Sequence, residues 1–177
     1  MKTDQTVAIL GLGYVGLPLA ISFVDAGCTV LGVDANEARV AELVAGQSPI
    51  DDISNETLRS ALARGLSIHS TGDAQLGGAD AIFVCVPTPI NQAKDPDLAP
   101  VLAAAERVRE ELRAGQLVIL QSTTFPGTTA GPFRTELERS GLVAGRDFDL
   151  AFAPERVNPG DPTSAGREIP RLVGGLT

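Results

Sequence analysis

The pattern that most constrains this chain is Gly11-x-Gly13-x-x-Gly16, set between two unlike stretches. Before it, residues 6–10 are β-branched and aliphatic and read as a strand. After it, Val15, Leu19, Phe23 and Ala26 recur at helical spacing until Gly27 stops the helix. Pro18 falls in the first turn of that helix, where a missing N–H does no harm. A second strand, 29–33, ends at Asp34, 18 residues beyond Gly16. Alone, the glycine pattern is weak. Between a strand and a helix, with a carboxylate at the tip of the next strand, it is the dinucleotide-binding arrangement. Gly11 makes the tight turn, Gly13 lets the backbone approach a pyrophosphate, and Gly16 lets helix and strand pack closely. The helix N-terminus offers the N–H groups of Tyr14 and Val15 to the phosphates. Asp34 accepts hydrogen bonds from the adenosine ribose and repels a 2′-phosphate, so the expected cofactor is NAD rather than NADP. Arg39, one turn into the following helix, is either a cofactor contact that weakens this preference or a solvated helix charge.

The same alternation continues along the chain. Helices are expected over 36–45 and 56–64, and strands over 66–69 and 79–86, the last ended by Pro87 and Pro89. Asp97 is the expected N-cap of a helix carrying Leu98, Val101, Leu102, Ala105, Val108 and Leu112. Further strands are expected over 117–121, 149–153 and 171–173, and a helix over 128–139 closed by Gly141. Strands alternating with helices imply an α/β fold: a Rossmann-type doubly wound, mostly parallel sheet with helices on both faces, strand order 3-2-1-4-5-6. The whole of 1–177 reads as one NAD-binding domain.

Composition narrows the partners. A net charge of −8 argues against generic binding to nucleic acid. No run of eighteen apolar residues supplies a transmembrane helix. The apolar stretch 7–20 after Lys2 imitates a signal peptide, but Asp4 and the three glycines argue against one, and the glycines are explained by the nucleotide loop. Cys28 and Cys85 sit in apolar surroundings and read as buried thiols of a reducing compartment, which points to the cytoplasm. No Cys/His cluster has metal-ligand spacing, so no metal is expected.

In open parallel sheets ligands bind outside the carboxyl ends of the strands. Four polar segments fall there: 11–16, 87–89, 122–124 and 154–156. Thr123 and Glu155, facing the nicotinamide half of a dinucleotide, form a candidate active site. Each segment also has a plainer reading. Ser122, Thr123 and Thr124 serve equally as helix caps, and Glu155 as a surface carboxylate paired with Arg156. His69, the one histidine, is read as structural.

Six blocks together resemble the N-terminal domain of the UDP-glucose/GDP-mannose dehydrogenase family over essentially the whole chain. They are Gly11-Leu-Gly-Tyr-Val-Gly-Leu-Pro-Leu19, Val86-Pro-Thr-Pro89, Pro96-Asp-Leu98, Ser122-Thr-Thr-Phe-Pro-Gly-Thr-Thr129, Pro154-Glu-Arg-Val-Asn-Pro-Gly160 and Val173-Gly-Gly175. Within the family the chain is most similar to the branch that oxidises UDP-N-acetylhexosamines, and to the UDP-N-acetylglucosamine 6-dehydrogenases above all. The UDP-glucose and GDP-mannose enzymes carry a second glutamate four residues after the first, where this chain has Pro159.

The resemblance implies oxidation of a sugar C6 alcohol to the carboxylate with two NAD. In that reaction a cysteine captures the aldehyde, and the resulting thioester is hydrolysed. It implies that Thr123 and Glu155 position and activate the hydrolytic water. It further implies that Pro87 and Thr88 lie along the cofactor, and that Glu155, Arg156, Val157 and Asn158 meet the UDP-sugar. Neither Cys28 nor Cys85 matches the catalytic cysteine. That cysteine, a long central helix through which the family dimerises and the nucleotide-sugar domain are expected beyond Thr177. Taken alone, these 177 residues are expected to bind NAD without turnover. The alternatives are the same domain of a UDP-glucose, UDP-N-acetylmannosamine or β-hydroxyacid dehydrogenase, or a non-catalytic NAD-binding module.

Overall fold

Six strands lie parallel in one sheet: β1 (Thr6–Leu10), β2 (Thr29–Asp34), β3 (Leu66–Ser70), β4 (Ala81–Val84), β5 (Leu117–Leu120) and β6 (Asp149–Phe152). A short β7 (Gly174–Gly175) runs antiparallel to β6, and the order is β3-β2-β1-β4-β5-β6-β7. The computed structural model describes residues 4–89, 96–155 and 172–176. The helices are α1 (Gly16–Asp25), α2 (Glu37–Val44), α3 (Asn55–Arg64), α4 (Ala99–Arg109) and α5 (Arg134–Glu138).

Period-two alternation builds a core on each face of the sheet. In β1, Val7 and Ile9 join Leu17, Ala20 and Val24 of α1 with Leu58 and Ala61 of α3. Ala8 and Leu10 point the other way, to Val101, Ala105 and Val108 of α4 and Leu137 of α5. Each fully buried aliphatic side chain contributes about 1.5–3 kcal/mol, so the helices are held mainly by these two layers. Capping helps locally. Asn36 accepts from the Arg39 N–H at the start of α2, and Ser54 accepts from the Thr57 N–H at the start of α3.

Four expected elements differ in extent. The strand expected over 79–86 pairs only from Ala81 to Val84. Residues Leu76–Gly78 form a 3-10 turn, and the Val86 carbonyl accepts a side-chain hydroxyl instead of a ladder bond. The helix expected over 128–139 is α-helical only over Arg134–Glu138. Thr129–Phe133 forms a wider π-type turn, because Pro132 has no N–H and Gly131 takes a non-helical φ/ψ of −103°/−108°. Asp97 is not the N-cap residue itself, yet its Oδ1 accepts the Ala99 N–H at 2.8 Å, so it satisfies α4 from one position further out. The strand expected over 171–173 is replaced by Gly174–Gly175. Leu172 and Val173 are strongly exposed there, so backbone pairing with β6, not apolarity, selects the paired residues. Arg171 lies outside the described residues.

Cys28 is buried and Cys85 is only partly so. That corrects the expectation for Cys85: it leaves the core because it stands just past the end of β4, on the wall of a cleft. Among the described residues, no helix is long and apolar enough to cross a membrane.

Candidate functional site

A cleft of about 700 Å³ runs along the carboxyl edge of the sheet. That is within the ~300–1,000 Å³ typical of small-molecule and cofactor sites. The glycine loop forms one part of it. Gly11 has φ +93°, and a Cβ there would stand 2.6 Å from the Cys85 carbonyl oxygen. A Cβ on Gly16 would stand 1.8 Å from the Gly11 carbonyl oxygen. Gly13 is different: a Cβ there meets no protein atom within 4 Å. Gly13 lines the cleft, so this bare stretch of backbone is open to a ligand. Tyr14 and Val15 also line it and precede the first helical bonds, which run from Leu17 to Gly13 and from Leu19 to Val15. Backbone donors, an open glycine and a helix start suit a pyrophosphate.

Asp34 ends β2 beside this loop and is buried. Its Oδ2 accepts the Leu12 N–H at 2.8 Å and its Oδ1 the Asn36 N–H at 2.9 Å. The carboxylate therefore ties the glycine loop to the tip of β2, a role that sequence reasoning missed. Two oxygens provide about four acceptor sites, so capacity remains for ribose hydroxyls. Arg39 lies 3.4 Å from Asp34 Oδ2, and it also lines the cleft. The loop and Asp34 together fit the phosphate and adenosine-ribose portions of a dinucleotide.

Pro87, Thr88, Thr123 and Glu155 line the same cleft. Two hydroxyls join the loops that carry them. Thr88 donates to the Thr123 carbonyl at 2.7 Å, and Ser122 donates to the Val86 carbonyl at 2.7 Å. Ser122 is thus a link between β4 and β5 rather than a helix cap. Gln121, also buried, donates from Nε2 to Glu155 at 3.2 Å and accepts the Cys85 thiol at 3.9 Å. A carboxylate and a hydroxyl facing one cleft can remove a proton from a water and orient it.

Arg156, Val157 and Asn158 lie outside the described residues. His69 pairs in register with Val33 inside β3 and is not on the cleft. Among the described residues, no cluster of three or more His, Cys, Asp or Glu is placed to hold a metal. Sequence reasoning also missed one wall, formed by Thr71 with Pro100, Ala103, Ala104 and Arg107 of α4. A signal was present: small residues at i, i+3 and i+4, followed by a long one at i+7.

Comparison with known proteins agrees with this geometry. The model for the NAD-binding domain of the UDP-glucose/GDP-mannose dehydrogenase family matches residues 5–177. UDP-N-acetyl-D-glucosamine 6-dehydrogenase from Pseudomonas aeruginosa is 38% identical over 98% of this chain and 40% of that protein. The structure of UDP-D-ManNAc dehydrogenase from Pyrococcus horikoshii has a TM-score of 0.87 at 36% identity, covering 97% of this chain and 41% of that one. An NDP-N-acetyl-D-galactosaminuronic acid dehydrogenase from Methanosarcina mazei Go1 has a TM-score of 0.87 at 35% identity, covering 98% and 39%. The chain spans about two fifths of the length of these relatives.

Proposed function

Because the chain belongs to the UDP-glucose/GDP-mannose dehydrogenase family, as its NAD-binding domain, we propose that it is the cofactor half of a cytoplasmic, homodimeric UDP-N-acetylhexosamine 6-dehydrogenase. The whole enzyme oxidises the sugar C6 alcohol to the carboxylate. The observation that supports this most is one cleft lined by the glycine loop and Asp34 together with Thr123 and Glu155. NAD, when bound, accepts hydride from the sugar carbon.

The chain's own residues bind and hydrolyse. Backbone N–H groups of Tyr14 and Val15 hold the pyrophosphate, and Asp34 holds the adenosine ribose. Pro87 and Thr88 border the cofactor farther along. Glu155 takes a proton from a water whose oxygen adds to the thioester carbon of the oxidised sugar; the carbon–sulfur bond then breaks, the sugar leaves as its carboxylate, and the proton passes to the departing cysteine sulfur. The Thr123 hydroxyl orients that water, and Gln121 holds one oxygen of the Glu155 carboxylate. The cysteine that carries the acyl group is assigned to the remainder of the family's length. Cys28 is buried and Cys85 is engaged with Gln121.

Cofactor stoichiometry tests the reading. The protein carrying this domain together with the rest of the family's length is given UDP-N-acetylglucosamine, with UDP-N-acetylmannosamine and UDP-glucose for comparison. NADH absorbance and product acid are both counted. The expected result is two NADH per acid with the N-acetylhexosamine preferred, and no NADH formed by the 177-residue chain alone. One NADH per sugar, or steady turnover by the chain alone, contradicts it.

A further inference from the structure

We propose that Arg107 is the platform for the adenine ring of the bound dinucleotide, its guanidinium gripped around the rim so that it offers the cleft a flat cationic face. The proposal rests on NAD occupying the cleft. Pro100, Ala103, Ala104 and Arg107 occupy positions i, i+3, i+4 and i+7 of α4, and all four line the cleft. The first three are small, so Arg107 is the one large side chain that the helix brings there. Thr71, just after β3, completes that wall.

The guanidinium is fixed from several directions. Nε donates to the Thr71 carbonyl at 2.9 Å, and Nη2 donates to the Ala74 carbonyl and to Glu111. Nη1 reaches Glu110 at 3.4 Å. Glu111 in turn accepts the Gly77 N–H at 2.9 Å, which ties the loop after β3 to α4. Burial alone would push the Glu111 carboxyl up. The Gly77 N–H and the Arg107 charge outweigh it and hold the carboxyl below its ordinary value, so the grip stays ionised at neutral pH.

All guanidinium hydrogens lie in one plane. Partners that engage the rim leave the two faces. Such an arginine is poorly placed to fork onto a phosphate, but it can stack on a π-system. The position selects which one. Asp34 and Ser70 are register partners, so Thr71 and the Arg107 it holds stand next to the carboxylate assigned to the adenosine ribose. The group attached to that ribose is the purine.

The test uses the 177-residue chain, with NAD, ADP-ribose and nicotinamide mononucleotide as ligands. Arg107→Met keeps the stem and Arg107→Lys keeps the charge, but neither keeps the plane. Glu111→Gln loosens the grip and leaves the guanidinium. Both Arg107 variants are expected to lose about ten-fold in affinity for NAD and ADP-ribose, with mononucleotide binding unchanged. Glu111→Gln is expected to lower the unfolding temperature while losing less than about three-fold in affinity. In the wild type, NMR is expected to show ring-current shifts of the Arg107 δ-methylene protons when ADP-ribose is added, a readout that needs no variant to fold. Unchanged NAD affinity in both Arg107 variants overturns the platform. So does an equal loss in Glu111→Gln, which would make Arg107 a clamp only, or the absence of ring-current shifts in the ADP-ribose complex. A wild type that binds neither NAD nor ADP-ribose contradicts the cofactor assignment itself.

Discussion

Glu155→Gln, placed in the protein that carries this domain, is expected to slow release of the sugar acid by about 10²–10⁴-fold, the usual worth of a general base. The first oxidation should slow much less, because the proposed task of Glu155 comes after the hydride steps. The substitution is conservative in shape. A glutamine oxygen at 155 can still accept the Gln121 amide, which lies 3.2 Å from the carboxylate in the native chain. What is lost is the base. The covalent sugar adduct should therefore accumulate, and rapid quench with intact-mass measurement would show it. Thr123→Ala should give a milder version, since the residue is exposed and a neighbouring water can take the hydroxyl's place. Wild-type turnover in Glu155→Gln, or a stall without adduct, would remove the residue from hydrolysis.

Gly16→Ala is expected to abolish useful NAD binding through the backbone. Its new Cβ would lie 1.8 Å from the Gly11 carbonyl oxygen and 3.3 Å from the Cys85 Cβ. Gly11 has little room to yield. Its N–H is bonded to the Val33 carbonyl at 2.7 Å, and its own α-carbon faces the Cys85 carbonyl. Helix α1 must therefore move off β1. Overpacking of this kind costs about 1–3 kcal/mol of stability. Displacing the loop takes the Tyr14 and Val15 N–H groups off the pyrophosphate, and two lost hydrogen bonds to a charged group, about 1.5–3 kcal/mol each, should cost on the order of 10²-fold or more in cofactor affinity. Gly13→Ala makes the contrast. No protein atom lies within 4 Å of its Cβ, so the unfolding temperature should hold while NAD affinity falls. Thermal unfolding and titration of both variants check the pair. Equal behaviour of Gly13→Ala and Gly16→Ala would mean that the two glycines do not divide the work in this way.

Much of this was legible in the sequence, and the reasons are local. The glycine loop could be read because positive φ and close backbone contact leave few residue types: Gly11 meets both demands and Gly16 the second. The parallel sheet could be read because β1, β2 and β5 bury both faces and keep apolar runs. Element ends were harder. Cys85 and Val86 are apolar yet lie past the β4 ladder, since an apolar cleft wall attracts the same residues as a core. Long-range side-chain bonds were not legible at all. Nothing near Ser122 in sequence announces the Val86 carbonyl, and nothing near Arg107 announces Thr71, 36 residues away. The cleft wall of α4 was hidden for a related reason. Its stripe at 100, 103, 104 and 107 sits beside the core stripe at 101, 105 and 108, and the core stripe has the stronger apolar signal.

The central claim, that the cleft holds NAD with Asp34 at the adenosine ribose, is tested most directly by calorimetric titration of this chain with NAD and NADP, alongside Asp34→Ala. The account predicts that the wild type binds NAD and discriminates against NADP. It predicts that Asp34→Ala loses roughly 1–3 kcal/mol for NAD as hydroxyl partners go unmade, and that the gap to NADP narrows as the repelling charge disappears. Equal NAD affinity in wild type and Asp34→Ala, or a wild type that takes up no NAD, would contradict it.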